Sequence, residues 1–117
     1  MSSTVAVPSI TDAEFASAIA QGVVAVDFTA EWCPPCRMMA PIVEQAAKDY
    51  AGSIRILQMD TDANPATMAK LGVRSMPTVV VFRDGEIVDR IIGAWSPTIF
   101  RRRLDAVLAP KLEAAAG

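Results

Sequence analysis

The sequence predicts an α/β fold, a three-layer sandwich in which a central mixed β-sheet of about five strands is flanked by about four helices. Three observations lead there. Short β-branched apolar runs alternate along the chain with stretches of helical periodicity. The run from Val23 to Thr29 is almost unbrokenly apolar, as a strand covered on both faces requires. Two further strand-like runs flank Asp84-Gly85, which makes part of the sheet antiparallel.

The elements follow in order. An extended segment at Val5 to Val7 ends in Pro8, and Thr11-Asp12-Ala13-Glu14 has the form of a capping box opening a helix to about Ala20. Phe15 and Ile19, four apart, supply its apolar face. After the central strand, Met39, Ile42, Val43, Ala46, Ala47 and Tyr50 recur at helical spacing up to Gly52, a suitable stop. Pro41 falls inside this helix and removes a backbone donor there. Ile54 to Asp60 reads as a strand, and Asn64-Pro65 as the N-cap and first turn of a short helix ending near Leu71-Gly72. Thr78 to Arg83 and Glu86 to Ile92 form the hairpin about Asp84-Gly85. Ser96-Pro97 starts a last helix with Phe100, Leu104, Val107 and Leu108 on one face, ending before Pro110.

With 117 residues, 52% of them apolar, the chain is expected to form one domain over 1–117, with frayed ends at 1–4 and 111–117. No apolar run approaches the length of a membrane span, and the N-terminus lacks the pattern of a secretory signal, so the expected address is the cytoplasm. A net charge of -2 excludes a nucleic-acid partner as the natural reading. The one basic cluster, Arg101-Arg102-Arg103, points in three directions on a helix and is expected to be a solvated face.

The chain has two cysteines, Cys33 and Cys36, and no histidine. That removes the commonest general base and the Cys-His nucleophile pair. Two thiols at i and i+3 across the first turn of a helix form a reversible two-electron switch. Helix amides and the positive end of the helix dipole favour the Cys33 thiolate, the attacking species, while Cys36, one turn in, is expected to be more buried and protonated. A structural disulfide would close too small a loop to stabilise much. No metal is expected, because zinc needs four ligands; a site shared between subunits or an iron–sulfur cluster is the competing reading. Asp27 is the one charged residue of its strand, and burial is expected to raise its pKa into the range of proton exchange near neutrality.

Trp32-Cys33-Pro34-Pro35-Cys36 closely resembles the Trp-Cys-Gly-Pro-Cys site of thioredoxins. The likeness runs from about Asp12 to Leu108 and includes Val26-Asp27-Phe28, Pro41, Met76-Pro77-Thr78, Asp84-Gly85 and Gly93-Ala94. It implies the thioredoxin fold and a protein-disulfide reductase. Cys33 is then the nucleophile and Cys36 the resolving thiol, with Pro34 and Pro35 between them, Asp27 as proton acceptor for Cys36, and a Cys33-Cys36 disulfide as product. It implies partners too: disulfide-containing protein substrates, and a reductase similar to thioredoxin reductase, drawing on NADPH through its own flavin. The chain itself is then expected to hold no cofactor and to act as a monomer. Pro77 reads from the residues alone as a strand-start proline; the resemblance favours a cis Met76-Pro77 bond, with Trp32, Met76, Pro77, Gly93 and Ala94 as the substrate-docking surface.

Three positions depart from the family pattern. Pro34 replaces glycine, Thr29 a frequent tryptophan, and Gln58 a frequent lysine near the buried aspartate. Pro34 deletes an amide beside the Cys33 sulfur, which bears on redox poise and on recognition by a standard reductase. Beside a general reductase, two functions therefore stay open. One is a specialised thiol-disulfide exchanger with its own electron donor or an oxidase or isomerase bias; the other is a binding subunit that uses the surface without turnover.

Overall fold

The computed structural model describes residues 7–109. In chain order it contains α1 (Phe15–Ala18), β1 (Val23–Thr29), α2 (Pro34–Asp49), β2 (Arg55–Asp60), α3 (Pro65–Leu71), β3 (Thr78–Arg83), β4 (Glu86–Ile92) and α4 (Pro97–Leu108). The sheet runs β2-β1-β3-β4. β1 pairs in parallel with β2, while β1–β3 and β3–β4 are antiparallel.

The five residues from Val24 to Phe28 in the middle of β1 are all buried, because the strand is covered on both faces. Side chains alternate along it. Val24, Val26 and Phe28 join Phe15, Ile19, Leu57 and Phe82 in one core. Ala25 points the other way, into a second core built from Met39, Val43, Phe100 and Leu104. Helices α1 and α3 therefore cover one face of the sheet and α2 and α4 the other, which is the expected three-layer sandwich.

The described residues form a four-stranded sheet, not one of about five strands. The strand expected at Val5 to Val7 lies outside the described residues except for Val7, as do the frayed ends expected at 1–4 and 111–117. What is described of this edge is a single parallel bridge, Ser9 to Gln58, with Gln58 N donating to Pro8 O at 2.9 Å and Ile10 N to Gln58 O at 2.9 Å. Pro8 has no amide, so a regular ladder cannot continue through it.

The first helix is one turn, shorter than the expected run to Ala20. The capping box is half made: Glu14 folds back to accept from Thr11 N at 2.9 Å, but residues 12–14 are a turn. Asp12 instead reaches across the molecule, its carboxylate accepting from Ala66 N at 3.2 Å and Thr67 N at 2.9 Å. Asn64, expected to cap α3 with its own side chain, accepts from Asp12 N at 2.8 Å. The two residues have exchanged tasks, and the first orphan amides of α3 are satisfied by a carboxylate 54 and 55 positions away in the chain.

The remaining punctuation is local and follows expectation. Asp84 and Gly85 take φ 49° and 87° in the hairpin turn, and Ser96 Oγ accepts from Ile99 N at 3.2 Å to cap α4. The arginine cluster is a solvated face, as expected, with two of its three side chains paired to surface carboxylates. Arg101 pairs with Asp49 at the end of α2, and Arg103 pairs with Asp89 of β4, binding its carboxylate through two nitrogens at 2.6 and 2.9 Å. Among the described residues no helix is long and apolar enough to cross a membrane.

The exchange between Asp12 and Asn64 is testable. Hydrogen bonds from Thr67 and Ala66 hold the Asp12 carboxyl below its ordinary value. A carboxylate with a depressed folded pKa stabilises above its unfolded pKa, and that contribution is lost as pH falls through the folded value. Asp12→Ala is expected to lower the urea midpoint at pH 7, with the gap to the unaltered protein closing under acid conditions. A constant gap across the titration would assign the effect to packing instead.

Candidate active site

The loop leaving β1 places Cys33 at the N-cap of α2, with extended φ -99° and ψ 105°. Pro34 and Pro35 occupy the first two helical positions, where a missing amide leaves no helical hydrogen bond unmade and φ is already helical. Cys36 N is therefore the first amide of the turn, and it donates to Cys33 Sγ at 3.3 Å. The two sulfurs are bonded, across a Cα–Cα distance of 5.3 Å.

Burial does not distinguish the cysteines as expected. Cys33 is 3% exposed and Cys36 4%, because the Met76 loop packs over Cys33 and makes it as covered as its partner. Their surroundings differ instead. Cys33 Sγ lies 3.6 Å from the Met76 carbonyl oxygen, whereas Cys36 lines a cleft of about 340 Å³, open to solvent, with Thr29, Ala40 and Gln58.

The Met76-Pro77 bond is cis. Pro77 is buried, and its carbonyl accepts from Gly93 N at 2.8 Å, which joins the start of β3 to the turn after β4. Gly93 takes φ 91°, in the region that favours glycine. Ala94 is exposed beyond it. Pro34 and Pro35, between the cysteines, are exposed. Trp32 is 60% exposed, its ring held by Nε1 donating to Asp62 Oδ2 at 2.8 Å.

Asp27 is 5% exposed, and its Oδ1 has no hydrogen-bond partner. Alternation along β1 turns it to the α2 face, with Ala25 and Thr29. Burial pushes its carboxyl from an ordinary 3.8 up to about 7. Gln58 is its register partner on β2, yet the Gln58 amide donates to Ser9 Oγ at 3.0 Å instead. The carboxyl is left without a compensating charge or donor from that side.

Two contacts carried no local signal. Thr61 is 4% exposed, and its hydroxyl lies 2.9 Å from Met76 Sδ and 3.3 Å from Thr29 O, tying the ends of β1 and β2 to the loop over Cys33. Asp62 is the anchor of Trp32. Both are brought to the site by the parallel β1–β2 pairing, which spacing within either strand does not reveal.

A reversible cysteine pair at the head of a helix, where the central strand of an α/β sheet ends, defines a thiol-disulfide oxidoreductase. A family model for thioredoxin matches residues 6–106. The thioredoxins of Staphylococcus aureus strains Mu50, MW2 and N315 are each 50% identical over 88 residues, 75% of this chain and 85% of theirs. The chain belongs to the thioredoxin family. It reduces disulfides by dithiol–disulfide exchange through Cys33 and Cys36, acting on disulfide substrates and being recycled by a reductase.

The Asp27 environment carries a pH signature. A buried acid whose folded pKa is raised lends stability that is complete below its unfolded pKa and is lost as pH rises through the folded value. From 3.8 to about 7 that is about 4 kcal/mol. The oxidised protein is expected to lose stability of this order between pH 4 and 8, and Asp27→Asn to remove most of the slope. Equal slopes in urea unfolding of both proteins would contradict the assignment.

Proposed function

We propose that the protein is a general protein-disulfide reductase in which Cys33 is the attacking thiol. The observation that carries this reading is the 3.6 Å approach of Cys33 Sγ to the Met76 carbonyl oxygen, which sets Cys33 against the loop where an extended substrate segment can pair with backbone. Cys36 instead lines the open cleft with Thr29, Ala40 and Gln58. Trp32, Met76, Pro77, Gly93 and Ala94 then form the docking surface, with Pro34 and Pro35 at its rim.

In the reaction, the Cys33 thiolate attacks one sulfur of the substrate disulfide and the other leaves as a thiolate that takes up a proton. The Cys36 thiol gives its proton to the Asp27 carboxylate and attacks Cys33 Sγ. The second substrate sulfur leaves and is protonated in turn. The substrate has gained two electrons and two protons, and the protein holds the Cys33-Cys36 disulfide. An acid with a pKa of about 7 is half ionised at neutral pH, so Asp27 can accept this proton and release it again. A reductase of the thioredoxin-reductase type, supplied by NADPH, restores the dithiol. The setting is the cytoplasm, where such a donor keeps thiols reduced, and the working unit is the monomer.

A second reading, a specialised exchanger with its own donor, is favoured by Pro34, exposed next to Cys33 on the surface every donor must contact. Insulin reduction separates the two. Turnover with NADPH and a thioredoxin reductase supports the general role, and turnover only with dithiothreitol supports the specialised one. Cys33→Ser with Cys36→Ser is expected to abolish reduction and biological activity together, and biological activity retained by the double variant would leave only a binding role. Asp27→Asn is expected to slow release of substrate from the mixed disulfide at least about 10-fold at pH 7. An unchanged release rate would remove Asp27 from the mechanism.

A further inference from the structure

A stripe of α2 leads away from the cysteines. Pro34, Met38, Ile42, Gln45 and Asp49 follow at intervals of four, four, three and four, so they share one face of the helix. Opposite this stripe run Ala94, Trp95, Ser96 and Pro97, the connection from β4 into α4. The space between is a groove in two parts, about 280 Å³ between Met38, Ile42 and Trp95 and about 250 Å³ between Ile42, Pro41 and Pro97. Ile42 lines both parts and stands between them.

The groove is built to be apolar and to stay open. Met38 is 71% exposed at its rim and Trp95 41%. Trp95 is held in place by Nε1 donating to Ile92 O at 2.8 Å and its backbone amide approaching Met39 Sδ at 3.4 Å. At the far end Arg101 and Asp49 are paired with each other, which leaves neither as a free charge to select an ionic ligand. At the near end Ala94 and Pro34 lie at the surface where a disulfide partner must touch Cys33.

The position of the groove beside the Cys33 surface, with Ala94 lining its near end, identifies the occupant. We propose that the groove is a second docking subsite, which takes a bulky apolar side chain of a disulfide-containing protein substrate, two to four residues from the target cysteine. The distance follows from geometry. From Cys33 at the N-cap the helix rises about 7 Å to Met38 and about 13 Å to Ile42, which an extended chain covers in about two to four residues. The inference rests on the reductase reading above and adds sequence selectivity to it.

The test uses two synthetic peptide disulfides, identical except that leucine or serine stands three residues from the cysteine on both sides. Rates of reduction by the reduced protein are compared as a ratio. About a tenfold preference for leucine, equivalent to about 1.4 kcal/mol, is expected, falling to about twofold in Met38→Gln and in Trp95→Ala. Met38 is so exposed that its replacement leaves the core untouched. A ratio near one for the unaltered protein, or a ratio that neither variant moves, overturns the proposal while leaving the reductase reading intact. Failure to reduce either peptide overturns both. Sedimentation of the reduced protein provides the remaining arm: a dimer that Met38→Gln dissolves would assign the groove to a second copy and overturn the substrate assignment.

Discussion

Strand β1 is the constraint on which the rest of this molecule depends. It is hydrogen-bonded on both edges, to β2 in parallel and to β3 antiparallel, and it is buried on both faces. A strand in that position has no solvent-facing side on which to carry a polar residue, so every side chain on it must be satisfied by packing. The two cores it separates require helices above and below, and a parallel neighbour requires α2 as the crossover. The same requirement fixes where the chain emerges. The last residues of β1 deliver Cys33 to the head of α2, and β2, in register beside them, delivers Thr61 and Asp62 to the Met76 loop and to Trp32.

Asp27 breaks that rule, and the proton-acceptor role proposed for it depends on the breach. An ionised carboxylate without partners in such a strand is costly, and the fold offers no donor to Oδ1. The nearest polar neighbour in register, Gln58, uses its amide to hold Ser9 and the N-terminal segment against β2. Desolvation alone then moves the carboxyl to about 7 instead of leaving it a fixed charge. A compensating ion pair would stabilise the strand and remove this property. Stability and proton exchange are opposed at a single residue.

Much of this was legible in the residue order because its causes are local. The hairpin follows from Asp84-Gly85, the start of α4 from Ser96-Pro97, the central strand from an apolar run with one acid in it, and the cysteine motif from its own spacing. The failures have the opposite origin. Asn64 is expected to cap α3 because a cap next to its helix is the local solution, whereas Asp12 supplies it from 55 residues away in the chain. Arg101 and Arg103 do lie in solvent, but their ion pairs carry no signal in the residue order, because Asp49 and Asp89 become neighbours only after α2 and β4 pack against α4. Cys36 was expected to be the more buried thiol because helix position alone suggests it; the loop that equalises the two enters from 43 residues away.

The two prolines between the cysteines unite these themes. At the first two positions of a helix proline deletes no intrahelical hydrogen bond, so the sequence Pro34-Pro35 is compatible with α2 and even prepares its backbone. What it deletes is electrostatic. Of the amides that would otherwise point at the helix head, Cys36 N is left as the first donor, and it is spent on Cys33 Sγ. The negative charge of a Cys33 thiolate therefore rests on one amide and the helix dipole, with no reserve from the turn itself. In exchange the surface beside Cys33 becomes rigid and apolar, continuous with Met38 along the same helix stripe. A site arranged in this way gives up part of its stabilisation of the thiolate and gains a fixed apolar face, which places discrimination among partners in the protein surface around the sulfurs.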